Sequence, residues 1–239
     1  MSIADKLTTI AENEQKVYEA GRKKAWDFIQ NKGNRIDYQK TFYGIDITDF
    51  YPEYNIKPKN ASEMFRDTVG NTPIRYDLVE RLAECGVEID FSECTVATYA
   101  FYCSAFTHLP VLDFRKAVTT TKYLGCGHSG VKKIDKIILT EDGQSLLNYF
   151  GYATLLEEVE IEGKIAGDNL DIKNSAKLTL DSLKSILTAL KDYSGTANEY
   201  SYTVALRSEN WAVLEADGAT APNGQTWIDY VGNKGWLAS

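Results

Sequence analysis

Histidines and cysteines are the residues of this chain best suited to hold a metal ion. Its four cysteines are Cys85, Cys94, Cys103 and Cys126, at spacings of 9, 9 and 23 residues. No C-x-x-C pair occurs, and Cys126-Gly127-His128 has no second half nearby to complete a tetrahedral zinc site. We therefore expect free thiols buried as small apolar side chains, and no metal or other cofactor.

Hydrolytic chemistry needs a nucleophile with a base or a pair of carboxylates. Ser129 follows His128 only in sequence, and no H-E-x-x-H, G-x-S-x-G or P-loop motif occurs. The pairs Glu157-Glu158 and Glu141-Asp142 would suit a glycosidase, but a solvated acidic surface explains them more simply. Asp168-Asn169-x-Asp171 resembles part of a calcium loop without its glycine and distal glutamate. These patterns favour a protein that is not an enzyme.

The composition indicates an acidic globular protein. Of its 239 residues, 34 are Asp or Glu and 26 are Lys or Arg, so the formal net charge is −8. Duplex-binding proteins present a basic face, and we therefore expect no nucleic-acid partner. No apolar run approaches the ~20 residues of a membrane span. The charged stretch from Met1 to Gln30 lacks the apolar core of an export signal, which predicts a soluble protein synthesised in the cytoplasm.

Short strand-like triplets repeat in the middle of the chain. Their last apolar residues are 23, 25 and 22 residues apart: Phe91, Phe114, Leu139 and Ile161. A second apolar residue follows the first three triplets at offsets of 10, 10 and 11: Phe101, Leu124 and Phe150. A period in the low twenties with one short strand per unit is typical of a solenoid, in which each set of residues stacks into an internal ladder.

Two further features belong to the repeat region. Met64-Phe65 matches an earlier, degenerate copy of the unit around Phe101. The interval of 36 residues from Phe65 to Phe101 leaves room for an insertion, which we predict to be a short helix from Tyr76 to Cys85 ended by Gly86.

Beyond Leu170-Asp171-Ile172 the apolar spacing changes to that of a helix. Thr179 can cap a helix through Leu190, with Asp181 in its first turn and Lys191 in its last. A strand at Tyr202–Leu206 and a helix at Thr226–Val231 follow. Because a solenoid needs caps, we expect residues 175–239 to form an α/β cap closed by three tryptophans: Trp211, Trp227 and Trp236.

Residues 1–31 predict an N-terminal helix that attaches or oligomerises the protein. Five apolar residues recur at alternating steps along a heptad seam: Ile3, Leu7, Ile10, Val17 and Phe28. Glu14, Gly21 and Lys24 occupy the other seam positions. The pattern fits a weak coiled coil, with a trimer as one form, and equally an amphipathic helix that lies on its own domain.

Residues 32–58 form an aromatic-rich cap or linker. Six aromatic residues cluster there: Tyr38, Phe42, Tyr43, Phe50, Tyr51 and Tyr54. They favour a lid over the end of a core, because aromatic side chains bury a large area. A sugar-binding or protein-binding surface is the alternative, and Tyr43 and Tyr51 are its candidate binding residues.

The repeat strings resemble those of BspA-like leucine-rich-repeat proteins over about residues 56–175. Four stretches carry the resemblance: Val87 to Thr95, Tyr99 to Cys103, Leu112 to Phe114, and Lys136 to Leu139. With the front helix, the stretch Leu183 to Leu187 and the terminal Lys234-Gly235-Trp236, the arrangement is similar to repeat proteins from phage and prophage tail regions of gut bacteria. The resemblance implies a surface or virion component with a binding role. Secreted members carry an export signal, and its lack here favours the virion type.

An acidic stripe is the candidate binding site within the repeats. The middle residue of each triplet should point away from the core, because side chains alternate along a strand. The acidic residues at these places, including a last triplet, are Asp90, Asp113, Glu160 and Asp171. Stacked carboxylates repel one another, so we hypothesise that the stripe binds a cation or a basic patch of a partner; a solvated acidic face is the alternative.

Together these features predict an α+β fold: a short leucine-rich-repeat solenoid at residues 59–174, with an N-terminal helix and a C-terminal cap. The expected function is that of a non-enzymatic phage virion protein, associated with a tail fibre or baseplate, that is structural or binds a receptor. Its partners would be other virion proteins or a host surface receptor, either protein or glycan. The alternative is a leucine-rich-repeat adhesin at the bacterial cell surface.

Overall fold

The computed structural model describes residues 8–10, 12–14, 16, 37–44, 50–68, 76–117, 130–146, 149–150, 153–216 and 221–239. The chain divides into two compact units, residues 1–35 and residues 36–239. Every described residue of the first unit is helical, as expected for part of the N-terminal helix. The remainder of the helix predicted at residues 2–30 lies outside the described residues. All elements below belong to the second unit.

Three eight-residue turn segments (37–44, 60–67 and 96–103) lie side by side in parallel at the start of the second unit. The amide of Phe42 donates to the carbonyl of Met64 at 2.9 Å, and the amide of Phe65 donates to Ala100 at 2.7 Å. The rings of Phe42, Phe65 and Phe101 stack, with centroids 4.9 Å and 5.4 Å apart. The predicted placement of Phe65 one copy before Phe101 is confirmed.

The main sheet consists of five parallel strands. Their bounds are β1 Tyr76–Asp77, β2 Phe106–Leu109, β3 Leu112–Asp113, β4 Lys133–Ile138 and β5 Glu158–Glu162. β4 pairs with β2 and β5 over its first half and with β3 and β5 over its second half. Buried residues alternate with exposed ones along β5, as in a strand that covers a core with one face.

The predicted triplets lie in or next to parallel pairings, with one error of register. Ile89 forms a single parallel bridge to Ile56 instead of a strand. Ile161 pairs with Ile137, not with Leu139, so that Glu162 and not Glu160 lies opposite Ile138 on β4. The register shifts between the two halves of the β4–β5 pairing, and equal spacing along the sequence could not reveal this irregularity.

Both predicted ladders are apolar and buried where the structure describes them. Phe91, Phe114, Leu139 and Ile161 are each at most 8% exposed, and the rings of Phe91 and Phe114 lie 6.0 Å apart. In the second ladder Phe101 and Phe150 are fully buried. Leu124 lies outside the described residues.

The predicted helix that interrupts the repeats forms as α1 at Leu78–Cys85, but its first two predicted residues, Tyr76 and Asp77, form β1 instead. The Asp77 side chain accepts a hydrogen bond from the amide of Glu80 at 2.9 Å and caps the helix N-terminus. Gly86 ends the helix at φ +67°, a left-handed conformation that glycine adopts without strain. Leu78 and Leu82, one turn apart, bury its apolar face.

The C-terminal region combines three helices with a second parallel sheet. Their bounds are β6 Leu170–Asp171, α2 Leu180–Ala189, β7 Tyr202–Ala205, α3 Ser208–Ala216, α4 Trp227–Asn233 and β8 Trp236–Ala238. The cap predicted at Thr179 is confirmed, although α2 ends at Ala189, before Lys191. The helix predicted at Thr226–Val231 forms as α4, with Thr226 as its cap instead of its first residue. α3 was not predicted, because Trp211 to Leu214 are consecutive apolar residues without helical spacing.

Two of the three tryptophans close this end of the chain, as expected. Trp227 is 5% exposed and Trp236 is 1% exposed, whereas Trp211 is half-buried. The indole N–H of Trp236 donates to the carbonyl of Lys191 at 2.8 Å. Its ring lies within 6 Å of the rings of Tyr193 and Tyr202. With its helices and its two parallel-strand sheets, the fold class is mixed α/β.

Helix α2 satisfies the open edge of β5. Among the described strands it pairs only with β4, so its outward amides need partners from elsewhere. The amide of Val159 donates to Oγ of Ser182 at 2.9 Å, and the amide of Ile161 donates to Oγ of Ser185 at 2.8 Å. The two serines lie three residues apart on one face of the helix, which matches the spacing of alternate strand amides.

Replacing Ser182 with alanine should lower the free energy of unfolding by about 1–3 kcal/mol, because the amide of Val159 loses its acceptor in a buried place. The exposed Ser201 is the matched control, and its replacement with alanine should change stability by less than about 0.5 kcal/mol. Urea unfolding followed by circular dichroism measures both. Equal effects of the two substitutions would contradict the capping role.

Candidate functional site

His108 is held between two carboxylates on the polar face of the main sheet. Its Nδ1 lies 3.0 Å from Oδ2 of Asp77, and its Nε2 lies 2.7 Å from Oδ1 of Asp135. Asp77 belongs to β1 and Asp135 to β4, the two strands that flank β2. The parallel pairing of three strands thus places a histidine between carboxylates that lie 31 and 27 residues away in the sequence.

These two contacts decide what His108 can do chemically. An imidazolium donates from both ring nitrogens and satisfies both carboxylates, whereas a neutral ring has only one N–H. A general base needs a ring nitrogen within reach of its substrate. Both nitrogens of His108 already contact protein oxygens, so the geometry favours a structural role over proton transfer.

Ion pairs continue across the neighbouring strands β4 and β5. Lys133 Nζ lies 3.3 Å from a carboxylate oxygen of Glu158. Lys136 Nζ lies 2.9 Å from Glu160 and 3.1 Å from Glu162. Because these side chains are 29–58% exposed, solvent screens each pair, and they contribute more to the charge pattern than to stability.

A groove of about 650 Å³ lies beside the pairs, between β4, β5 and the start of α2. Ser182 and Ser185, which cap the edge of β5, also line it. Its charged lining comprises one lysine and four carboxylates: Lys133, Asp135, Glu158, Glu160 and Asp181. The excess of negative charge makes the groove attractive to cations.

The described cysteines are free thiols, as expected. Cys94 is fully buried, and burial raises its pKa to about 11, which leaves it protonated and unreactive. Cys85 and Cys103 are half-buried, and burial raises the pKa of both. Within the described part of the chain, no group of three or more His, Cys, Asp or Glu side chains is placed to hold a metal ion.

Three of the predicted stripe residues build turns. Oδ1 of Asp90 accepts from the amide of Ser92 at 2.9 Å, and Asp113 accepts from Arg115 at 3.1 Å. Asp171 accepts in the same way from Lys173 at 3.0 Å. Each carboxylate closes an Asx turn at the end of its triplet, which is why aspartate recurs at this position of the repeat.

The expectation that Asp113 lies on an exposed stripe is wrong. Asp113 is 7% exposed, and its carboxylate contacts the guanidinium of Arg115 at 2.6 Å. Burial alone would raise the pKa of Asp113, but the hydrogen bonds and the charge of Arg115 outweigh burial and hold that pKa below its usual range. Asp90 is also paired, with Lys57 at 3.2 Å. The carboxylates of Asp90 and Asp113 are therefore each paired with a cationic side chain.

The other two stripe residues lie apart from this pair. Glu160 is exposed, contacts Lys136 and lines the groove. Asp171 lies at the end of β6, in the second sheet, and is exposed. A binding role for these carboxylates stays a prediction.

Tyr43 and Tyr51 are exposed and lie against arginines. The guanidinium carbon of Arg81 lies 3.9 Å from the ring centroid of Tyr51. The guanidinium carbon of Arg66 lies 5.9 Å from Tyr43, 5.2 Å from Tyr99 and 5.3 Å from Tyr102. We call the surface formed by the turn segments the tyrosine–arginine face; its residues are Lys40, Tyr43, Glu63, Arg66, Tyr99 and Tyr102.

The oligomerisation residues are described at one position only. Ile10 is helical and 53% exposed, as a residue at a helix–helix seam would be in a single chain. Four of the five predicted residues lie outside the described residues: Ile3, Leu7, Val17 and Phe28. The oligomeric state stays a prediction.

Sequence reasoning missed the partners of His108 and the place of Arg66. The strand Phe106–Leu109 was not predicted, so no register connected His108 with Asp135. Arg66 could have been found, because it follows Phe65 as Tyr102 follows Phe101.

Comparison of the chain with protein-family models, curated proteins and solved structures found no match. Every helix in the described part of the chain is too short or too polar to cross a lipid bilayer. The functional proposal accordingly depends on the geometry above.

Asp113→Ala should lower the free energy of unfolding at pH 7 by about 1–3 kcal/mol, because the buried turn loses its acceptor. Asp113→Asn should lower it less, since the amide oxygen can still accept from the Arg115 amide. A lowered pKa means that the charged form stabilises the folded chain above pH ~4 and that this stability is lost as the pH falls through the lowered pKa. The difference between wild type and Asp113→Asn should therefore shrink below pH ~4 in thermal unfolding. An unchanged difference down to pH ~2 would contradict the ion pair.

His108 and Asp135 should show a coupling energy of about 1 kcal/mol in a double-mutant cycle with alanine, because each removes a contact of the other. His108 and Lys136 serve as the control pair, since Lys136 contacts Glu160 and Glu162 instead. Their effects on urea unfolding should add. Additive effects in both cycles would rule out a specific His108–Asp135 interaction.

Proposed function

We propose that this chain is a non-enzymatic binding protein of a phage virion, associated with a tail fibre or baseplate and built on a short leucine-rich-repeat solenoid. The observation that carries the proposal is the parallel stack of short segments that presents paired charges and tyrosines on a fixed backbone. Binding proteins gain affinity when the groups that contact the ligand are ordered before it arrives.

The stacking supports the solenoid part of the proposal. Equivalent backbone positions recur at 23 and 36 residues through the turn segments, and β3, β4 and β5 follow at 25 and 24. Each segment has few contacts of its own and depends on its neighbours, as repeats of a solenoid do. The hydroxyls of α2 on β5 correspond to the cap that such a stack needs.

The engagement of the reactive side chains supports a binding role over catalysis. His108 contacts a carboxylate through each ring nitrogen, and Cys94 is buried with a raised pKa. Two lysines of β4 pair with carboxylates of β5, and the groove beside them keeps an excess of carboxylates. Such a surface can recognise a complementary pattern of charges on a partner.

Different surfaces would attach the protein to the virion and recognise a receptor. The N-terminal helix would attach the protein to a virion partner or to copies of itself. Ile10, which is exposed in the single chain, would then be covered by the partner. The acidic groove beside β5 suits a lysine or arginine side chain of a neighbouring virion protein, by charge complementarity. The stack itself would face a receptor on the host.

Mass spectrometry of phage particles, purified from an induced culture of the bacterium that carries the gene, tests the proposal. We expect the chain at several copies per particle, resistant to a salt wash that removes adsorbed proteins. A chain that is expressed in the culture and absent from the particles would overturn the virion assignment. Its detection on intact cells that release no particles would favour a cell-surface adhesin.

A further inference from the structure

The tyrosine–arginine face is a regular grid with two rows. Lys40, Glu63 and Tyr99 occupy one position of the three turn segments, and Tyr43, Arg66 and Tyr102 occupy a second position three residues later. The segments are joined by backbone hydrogen bonds of 2.7–3.0 Å, such as that from Glu63 to Thr98 at 2.8 Å. Side chains of neighbouring segments are therefore held at a fixed spacing.

The first row stands on a backbone conformation that costs energy. Lys40, Glu63 and Tyr99 have φ values of 53°, 53° and 57°, in the left-handed region that favours glycine. The same conformation recurs four residues later at Asp67 (52°) and Cys103 (53°), so it belongs to the repeated turn. The turn therefore holds the side chains of the first row in one repeated backbone conformation.

The charges of the face cancel once the adjoining Asp67 is included. Lys40 contacts Glu63 at 3.5 Å, and Arg66 contacts Glu63 at 3.0 Å and Asp67 at 3.3 Å. Two cations thus meet two carboxylates. Burial lowers the pKa of Arg66, but Asp67 and Glu63 outweigh it and raise that pKa, so the guanidinium stays charged and fixed between the rings. A strongly anionic or cationic ligand would gain little from such a surface.

The tyrosine–arginine face presents aromatic rings among polar groups, without exposed large aliphatic side chains among its described residues. Tyr43 is 43% exposed. The exposed large aliphatic residues of the described chain all lie outside the three turn segments, and they are Ile10, Val111, Val213, Ile228 and Leu237. Tyr and Arg are enriched at protein interfaces, but Lys and Glu, which this face also carries, are depleted there. A sugar needs a ring face for its C–H groups and polar atoms for its hydroxyls.

The spacing of the grid fits a chain of sugars. Phe42, Phe65 and Phe101 stack at 4.9 Å and 5.4 Å, so the residues that follow them, Tyr43 and Tyr102, are about 10 Å apart across two segment spacings. One disaccharide unit has a similar length. Successive units of an extended glycan would meet Tyr43, Arg66 and Tyr102 in turn.

We propose that the tyrosine–arginine face binds a neutral, extended glycan through the ring of Tyr43 and the polar groups around Arg66. This inference rests on the proposed function as a binding protein and names the class of its receptor. Its failure would leave the presence of the chain in phage particles untouched, so the two experiments are distinguishable.

Isothermal titration calorimetry of the full chain with soluble oligosaccharides tests the inference. The probes are neutral β-linked glucose, β-linked N-acetylglucosamine and mannose series of two to six units, with oligogalacturonate as the anionic comparison. We expect at least one neutral series to bind, more tightly at four units than at two. Binding of none of the neutral series, or tighter binding of oligogalacturonate, would overturn the inference.

Variants locate the binding. Tyr43→Ala should weaken it about tenfold, the equivalent of losing one stacked ring, whereas Tyr43→Phe should stay within about twofold of wild type. Tyr54, a tyrosine 55% exposed and outside the face, is the matched control, and Tyr54→Ala should bind as wild type does. Thermal unfolding checks that each variant folds. A Tyr43→Ala protein that is folded and binds as tightly as wild type would contradict the proposal.

Discussion

The parallel stacking of very short segments is the constraint on which the rest of this structure depends. Strands of two to six residues cannot bury an apolar face alone, so each segment takes its hydrogen-bond partners from the segments beside it. One outcome is the phenylalanine stack of the turn segments, where Phe42, Phe65 and Phe101 meet because their backbones are already in register. The other outcome is an edge strand at the end of the stack, whose outward backbone groups need hydrogen-bond partners from outside the sheet.

The edge and the turns account for much of the polar chemistry. The hydroxyls of Ser182 and Ser185 accept hydrogen bonds from amides of β5. The carboxylates of Asp90 and Asp113 accept hydrogen bonds from amides in the turns that end two triplets. Asp113 then needs Arg115, because a buried carboxylate without a counter-ion would be expensive. These aspartates recur along the sequence because each closes the same kind of turn, and their recurrence is what suggests a binding stripe.

The sequence predicts best what depends on neighbours in the chain. The helices α1, α2 and α4, the cap at Thr179 and the burial of both ladders follow from local patterns, and the structure confirms them where they are described. What depends on pairing between distant segments was missed. The register shift in β4–β5, the strand β2 and the contact of His108 with Asp135 need a knowledge of which strand lies beside which. Tyr43 was identified as a surface residue, but its place beside Arg66 follows only from the stack.

The same dependence orders the polar side chains of this scaffold. A rigid stack places side chains at fixed intervals and pairs them across strands, as with His108 between two aspartates and Arg66 among three tyrosines. Pairing orders these groups, which lowers the entropy lost when a ligand binds. On the proposal that the turn segments bind a glycan, their balanced charge and the ring exposed at their first copy would offer a repeating ligand an equally regular set of contacts.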